Sequence, residues 1–105
     1  MAFKVQIVAA AERDIAEALA FIHQNSPVAA QRWLETLLRK IRGLAEMPFR
    51  FALIAEADEL KKPLRSFVPH SHRIVYEVDD AAEVVSIVRV YHLSRAPLQL
   101  EDLTR

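Results

Sequence analysis

The stretch that decides the fold is residues 72–95, HRIVYEVDDAAEVVSIVRVYHLSR. Two runs rich in β-branched residues, 74–76 and 84–88, flank the polar break 79–82. A short polar break between two such runs predicts an antiparallel β-hairpin. We expect Asp79 to pair with Ala82 across a tight turn, which would place Arg73 opposite Val88.

Side chains alternate between the two faces of a strand, so this register predicts which residues share a face. The face expected to be the core is interrupted by Glu83 and Arg89 and otherwise carries Ile74, Tyr76, Val78, Val85, Ile87 and Tyr91. The other face mixes apolar and polar residues, namely Arg73, Val75, Glu77, Val84, Ser86, Val88, Val90 and His92. Its four valines indicate that something covers this second face as well.

The chain before the hairpin alternates between strand and helix patterns. Residues 3–8 have the alternation of a strand, and from residue 11 apolar residues recur at helical spacing to about residue 25. Ser26 and Pro27 are typical of a helix start, and the next apolar stripe predicts a helix that ends near residues 47–48. Residues 49–63 are expected to form a connecting loop with at most a helical turn, and residues 64–68 a short strand.

These elements predict an α+β fold of order β-α-α-β-β-β. Two amphipathic helices joined by a short link form a helical hairpin. We expect this hairpin to pack on one face of a small, mainly antiparallel sheet. At 105 residues the chain is long enough for one core, so residues 1–105 are expected to be a single domain.

Composition limits the classes of function. The chain is 52% hydrophobic and 27% charged, which is typical of globular proteins, and it has a formal net charge of zero, so it has no overall attraction for nucleic acid. It has no cysteine, which excludes disulfides and zinc–thiolate sites. Apolar runs are too short to span a membrane, and no signal peptide is recognised, so we expect a cytoplasmic location and no membrane partner.

Several segments together resemble a known family. These are the first strand, the segment AERDIAEALAFI, the helix that ends in RKIRGLAEMP, the strand HRIVYEV and the closing VRVYHLSRAP. In the order and spacing of these five segments, the chain resembles the RelE/ParE superfamily of type II toxin–antitoxin toxins. The similarity covers residues 3–97. It implies a small toxin with a role such as plasmid stabilisation, neutralised by a cognate antitoxin that wraps its helices or sheet, and it leaves open a toxin–antitoxin hetero-oligomer.

The superfamily acts in at least two ways. ParE-like toxins inhibit DNA gyrase, whereas RelE-like toxins cut messenger RNA on the ribosome. The closing histidine and arginine and the neutral charge favour the ParE-like branch, with gyrase as the first candidate target. The alternatives are a RelE-like endoribonuclease and an inactive relative that only binds its antitoxin. In the ribonuclease case, the resemblance implies catalytic roles for Arg73, His92 and Arg95, and no metal or other cofactor.

The hairpin register independently places Arg73 and His92 on one face, about 13 Å apart along the strand. A histidine acting as acid or base and arginines that stabilise a phosphorane could then cleave RNA. Alternatively, Arg73 pairs with a carboxylate of the acidic loop around residues 56–59, and His92 simply closes a strand. The remaining histidines, His23, His70 and His72, are expected at the surface or in turns, Trp33 and Tyr91 in the core, and Arg32, Arg39 and Arg42 on a solvated helix face.

Overall fold

The chain folds into a four-stranded sheet with two long helices on one face. A computed structural model describes residues 2–93. The elements are β1 (Lys4–Ile7), α1 (Ala9–Asn25), α2 (Pro27–Arg42), a 3-10 turn (Gly43–Ala45), α3 (Ala57–Leu60), β2 (Leu64–Phe67), β3 (His72–Asp79) and β4 (Val84–His92). In spatial order the strands are β1-β4-β3-β2; β1 is parallel to β4, and the other neighbours are antiparallel. The predicted α+β fold is therefore confirmed.

The two long helices meet at Ser26. Its hydroxyl oxygen accepts a hydrogen bond from the Ala29 N–H at 3.1 Å, and Pro27 occupies the first turn of α2, as the sequence predicts. Because a single residue separates α1 from α2, the helices fold back on each other as a hairpin. None of the helices in the described part of the chain is long and apolar enough to cross a membrane.

The turn between β3 and β4 is longer than the sequence suggests. The Asp79 carboxylate accepts a hydrogen bond from the Ala82 N–H at 3.0 Å, and Glu83 adopts a left-handed conformation with φ of 57°. Asp79 consequently pairs with Val84, and the predicted pairing with Ala82 is wrong. The side-chain hydrogen bond of Asp79 stabilises this four-residue turn, a role for which aspartate is well suited.

A β-bulge then changes the register along the hairpin. Tyr76 pairs with Ile87, whereas Val75 pairs with Arg89, so the strand β4 has one extra residue, Val88. A one-residue shift exchanges the faces of all the side chains that follow. The predicted pairing of Arg73 with Val88 is therefore wrong, since Arg73 lies opposite Tyr91.

The sheet has an apolar core on each face. The first core lies between the sheet and the helices α1 and α2, and it includes Ile15, Leu37, Ile41, Leu44, Phe67, Ile74, Tyr76, Val85, Ile87 and Val90. On the other face, Ile54, Leu64, Val75 and Tyr91 form a second buried cluster, against which Ala57, Leu60 and Val88 pack. The prediction that this face is covered is confirmed, and the cover is the segment around α3. Tyr91 and Val90 lie on the faces opposite to those predicted, because both follow the bulge.

Candidate functional site

The open end of the hairpin brings two histidines together. His72 is the first residue of β3 and pairs directly with His92, the last residue of β4. Their imidazole ring centres are 5.2 Å apart. On the helix side, the indole ring of Trp33 contacts the His72 ring edge-on, with the ring centres also 5.2 Å apart. The Ser71 hydroxyl lies 2.9 Å from Nδ1 of His72, at hydrogen-bond distance.

The surroundings of His72 favour its neutral form. Burial lowers the pKa of His72 below its usual value of 6.5, and the neighbouring imidazoles of His92 and His70 lower it further. Burial acts in this direction because it removes water from the charged imidazolium, and a second positive charge nearby has the same effect. Both effects act against protonation of the His72 imidazole.

Two cavities open beside this histidine pair. The first, of about 410 Å³, lies between α2 and the connection from β2 to β3, and its lining includes Val28, Trp33 and Pro69. The second, of about 600 Å³, lies between α1 and the end of β4, and its lining includes Phe21 and His92. His72 lines both cavities. Apolar side chains stand exposed at their rims, since Phe21 is 68% and Val28 60% exposed.

An ion pair ties α1 to β4 next to the second cavity. The Arg89 guanidinium donates from Nε to Oδ2 of Asp14 at 2.7 Å and from Nη2 to Oδ1 at 2.9 Å. Oδ2 of Asp14 also accepts the backbone N–H of Val90 at 2.9 Å. β1 ends at Ile7, which pairs with Ile87, so this part of β4 lies beyond the last residue of its neighbouring strand. The Asp14 carboxylate therefore accepts the Val90 N–H where β1 offers no paired residue.

The predicted site residues are not all brought together. Arg73 pairs with Tyr91, one residue before His92, and successive side chains of a strand point to opposite faces. The prediction that Arg73 and His92 share a face is therefore wrong. Within residues 2–93, the side chain of Arg73 forms no ion pair or hydrogen bond, so the alternative ion pair with the loop at residues 56–59 is not formed. Arg95 lies outside the described residues.

The sequence interpretation missed His72, which it assigned to the surface or a turn. His72 lies seven residues before Asp79 and His92 lies eight residues after Val84, so only the correct turn length and the bulge make them partners. Trp33 packs against the first core, as predicted, and the remaining assigned surface residues are exposed: His23, Arg32, Arg39, Arg42 and His70. Between residues 2 and 93, no three His or carboxylate side chains cluster as metal ligands.

Comparison with known proteins places the chain in a family. Residues 5–97 match the family model described as ParE toxin of type II toxin–antitoxin system, parDE. The fold is similar to a chain of the RelBE2 toxin–antitoxin complex from Mycobacterium tuberculosis, with 23% identity and a TM-score of 0.58 over 88% of this chain and 99% of that chain.

A second solved structure has the same fold. It is a chain of the archaeal RelE–RelB complex from Pyrococcus horikoshii OT3, with 23% identity and a TM-score of 0.51 over 91% of this chain and 100% of that chain. No curated protein sequence matches significantly. The family match spans nearly the whole chain and agrees with the fold. The chain therefore belongs to the ParE toxin family of type II toxin–antitoxin systems, within the RelE/ParE superfamily.

Proposed function

We propose that this toxin acts by binding and inhibiting a cellular protein, with DNA gyrase as the first candidate, and that a cognate antitoxin neutralises it. The observation that carries the proposal is the match of residues 5–97 to the ParE toxin family. The fold neighbours are RelE-type chains, but at 23% identity they support the fold and do not distinguish the targets.

The geometry of the hairpin supports binding rather than catalysis. Cleavage of RNA by its own 2′-hydroxyl needs an acid or base and a cation at the same phosphate. Arg73 lies opposite Tyr91 and points to the face away from His92. Opposite faces are unfavourable for contact of both side chains with a single phosphate, which supports a binding role.

The apolar rims of the two cavities are the surface on which we place the antitoxin. Phe21 and Val28 are large, apolar and mostly exposed, and they lie where α1 ends and α2 begins. Apolar groups of this size at adjoining cavities are typical of protein-binding surfaces. Both similar solved structures are toxin–antitoxin complexes, which supports the same kind of hetero-oligomer here.

One observation favours a second candidate, a RelE-like, ribosome-dependent endoribonuclease. His72 and His92 lie side by side at the mouth of a cavity, and two imidazoles can serve as acid and base in RNA cleavage. In this case His92 would act with Arg73 and Arg95 as the sequence resemblance implies, after the hairpin end rearranges on the ribosome. The third reading, an inactive relative that binds only its antitoxin, predicts harmless overexpression without the antitoxin.

The deciding experiment compares two activities of the same purified protein. We expect it to inhibit supercoiling by DNA gyrase and to leave messenger RNA intact in a translation extract. The variants His92→Ala and Arg73→Ala, with their fold checked by circular dichroism, should keep this inhibition. If the wild-type protein left supercoiling unchanged and cut messenger RNA, and both variants lost the cutting, the ribonuclease reading would replace this proposal.

A further inference from the structure

The histidine pair at the open end of the hairpin has the spacing of two ligands of one metal ion. A ring nitrogen of histidine binds Zn²⁺ at about 2.0–2.1 Å, and the ring centre lies about 1.2 Å behind that nitrogen. Two imidazoles at the tetrahedral angle around one ion therefore have centres about 5 Å apart. The ring centres of His72 and His92 are 5.2 Å apart.

The backbone holds this spacing. His72 and His92 are directly paired residues of β3 and β4, so their Cα atoms are fixed relative to each other by the hairpin. The torsion that turns an imidazole about its Cβ–Cγ bond is soft, and His92 is exposed. Solvent and dissolved ions therefore reach the second ring directly, at a position that the strand pairing fixes.

The neighbours of His72 orient it as a ligand. Nδ1 lies 2.9 Å from the Ser71 hydroxyl, which leaves Nε2 as the nitrogen for an ion. A metal-binding histidine is usually held in this way, with its other ring nitrogen in a hydrogen bond that fixes the ring. Contact with the indole ring of Trp33 restricts the same imidazole from the helix side.

We propose that His72 and His92 form a two-histidine binding site for a divalent transition-metal ion such as Zn²⁺ or Ni²⁺. Imidazole is a ligand that these ions prefer, whereas Mg²⁺ prefers oxygen. No third histidine or carboxylate within residues 2–93 completes the cluster, so water fills the remaining coordination positions. The cavity of about 600 Å³ between α1 and β4 gives the ion and its water access from solvent. This inference is independent of the toxin's target.

Trp33 provides a direct measurement of binding. It is the only tryptophan of the chain, and its ring centre is 5.2 Å from that of His72. Paramagnetic Ni²⁺ quenches indole fluorescence at such short range, so titrating the tag-free protein with NiCl₂ should quench its emission to saturation. Excess ZnCl₂, which does not quench, should restore the emission by competition, and MgCl₂ should have no effect.

Matched variants separate this site from other metal binding. His72→Gln and His92→Gln should each raise the midpoint of quenching by more than about tenfold, and Ser71→Ala by a smaller factor. His23→Gln, at an exposed histidine near the end of α1, should leave the midpoint unchanged. His92 is exposed, so its variant keeps the fold, which circular dichroism checks. Quenching that fails to saturate, or that is equal in the wild type and His92→Gln, would overturn the proposal.

Discussion

Removal of the Asp14 carboxylate should be among the most destabilising single changes on the surface of α1. The side chain of Arg89 is 8% exposed and that of Asp14 12% exposed, so both charges lie largely out of water. Removing one partner from a buried ion pair costs about 3–5 kcal/mol, because the other charge stays buried. Asp14→Ala also removes the acceptor of the Val90 N–H. We expect a loss of about 3 kcal/mol in the free energy of unfolding, or about 12–15 °C in the melting temperature.

Urea unfolding followed by circular dichroism measures this loss. Glu17→Ala, which removes an exposed carboxylate from the same helix, is the matched control and should change stability by less than about 0.5 kcal/mol. The double variant Asp14→Leu/Arg89→Met should recover about half of the loss, since apolar residues of similar size often replace a buried ion pair. A loss below about 1 kcal/mol for Asp14→Ala would refute the reasoning, as would a double variant no more stable than Asp14→Ala.

Three further predictions concern the pH dependence of stability, a buried hydrogen bond and the antitoxin surface. Because the folded state lowers the pKa of His72 below 6.5, the contribution of His72 to stability is complete above pH 6.5 and is lost as the pH falls through its folded-state pKa. His72→Gln should therefore flatten this acidic part of a plot of unfolding free energy, measured in urea, against pH. An unchanged slope in the variant would contradict the lowered pKa. The Tyr76 hydroxyl donates a hydrogen bond to the buried Pro48 carbonyl at 2.8 Å. Tyr76→Phe should therefore lower the free energy of unfolding in urea by about 1–2 kcal/mol. An unchanged free energy would mean that the carbonyl finds another donor. Val28→Asp should weaken antitoxin binding, measured by calorimetry, more than tenfold. The variant should keep its fold, because an acidic residue is favourable in the first turn of α2. Unchanged affinity would place the antitoxin elsewhere.

Local patterns were sufficient for most of the fold. The helical spacing, the Ser26–Pro27 start of α2 and the β-branched runs of the hairpin predicted the order of elements, since each depends on residues close together in the chain. The candidate site was harder, because its geometry depends on how two strands align. Because of the bulge at Val88, Tyr91 lies on the second face, and Arg73 and His92 lie on opposite faces. Nothing in the local pattern of β4 indicates which residue is the extra one.

By itself, the sequence determined the order of helices and strands, the α+β class and the resemblance to the toxin superfamily, because these follow from periodicity, capping and short motifs. Only the tertiary structure decided which side chains meet. Asp14 and Arg89 are 75 residues apart in the chain, and His72 faces His92 only after the turn and the bulge have set the register. Pairing between strands is a long-range contact, and a shift of one residue reverses the faces, so small local details decide the chemistry of this site.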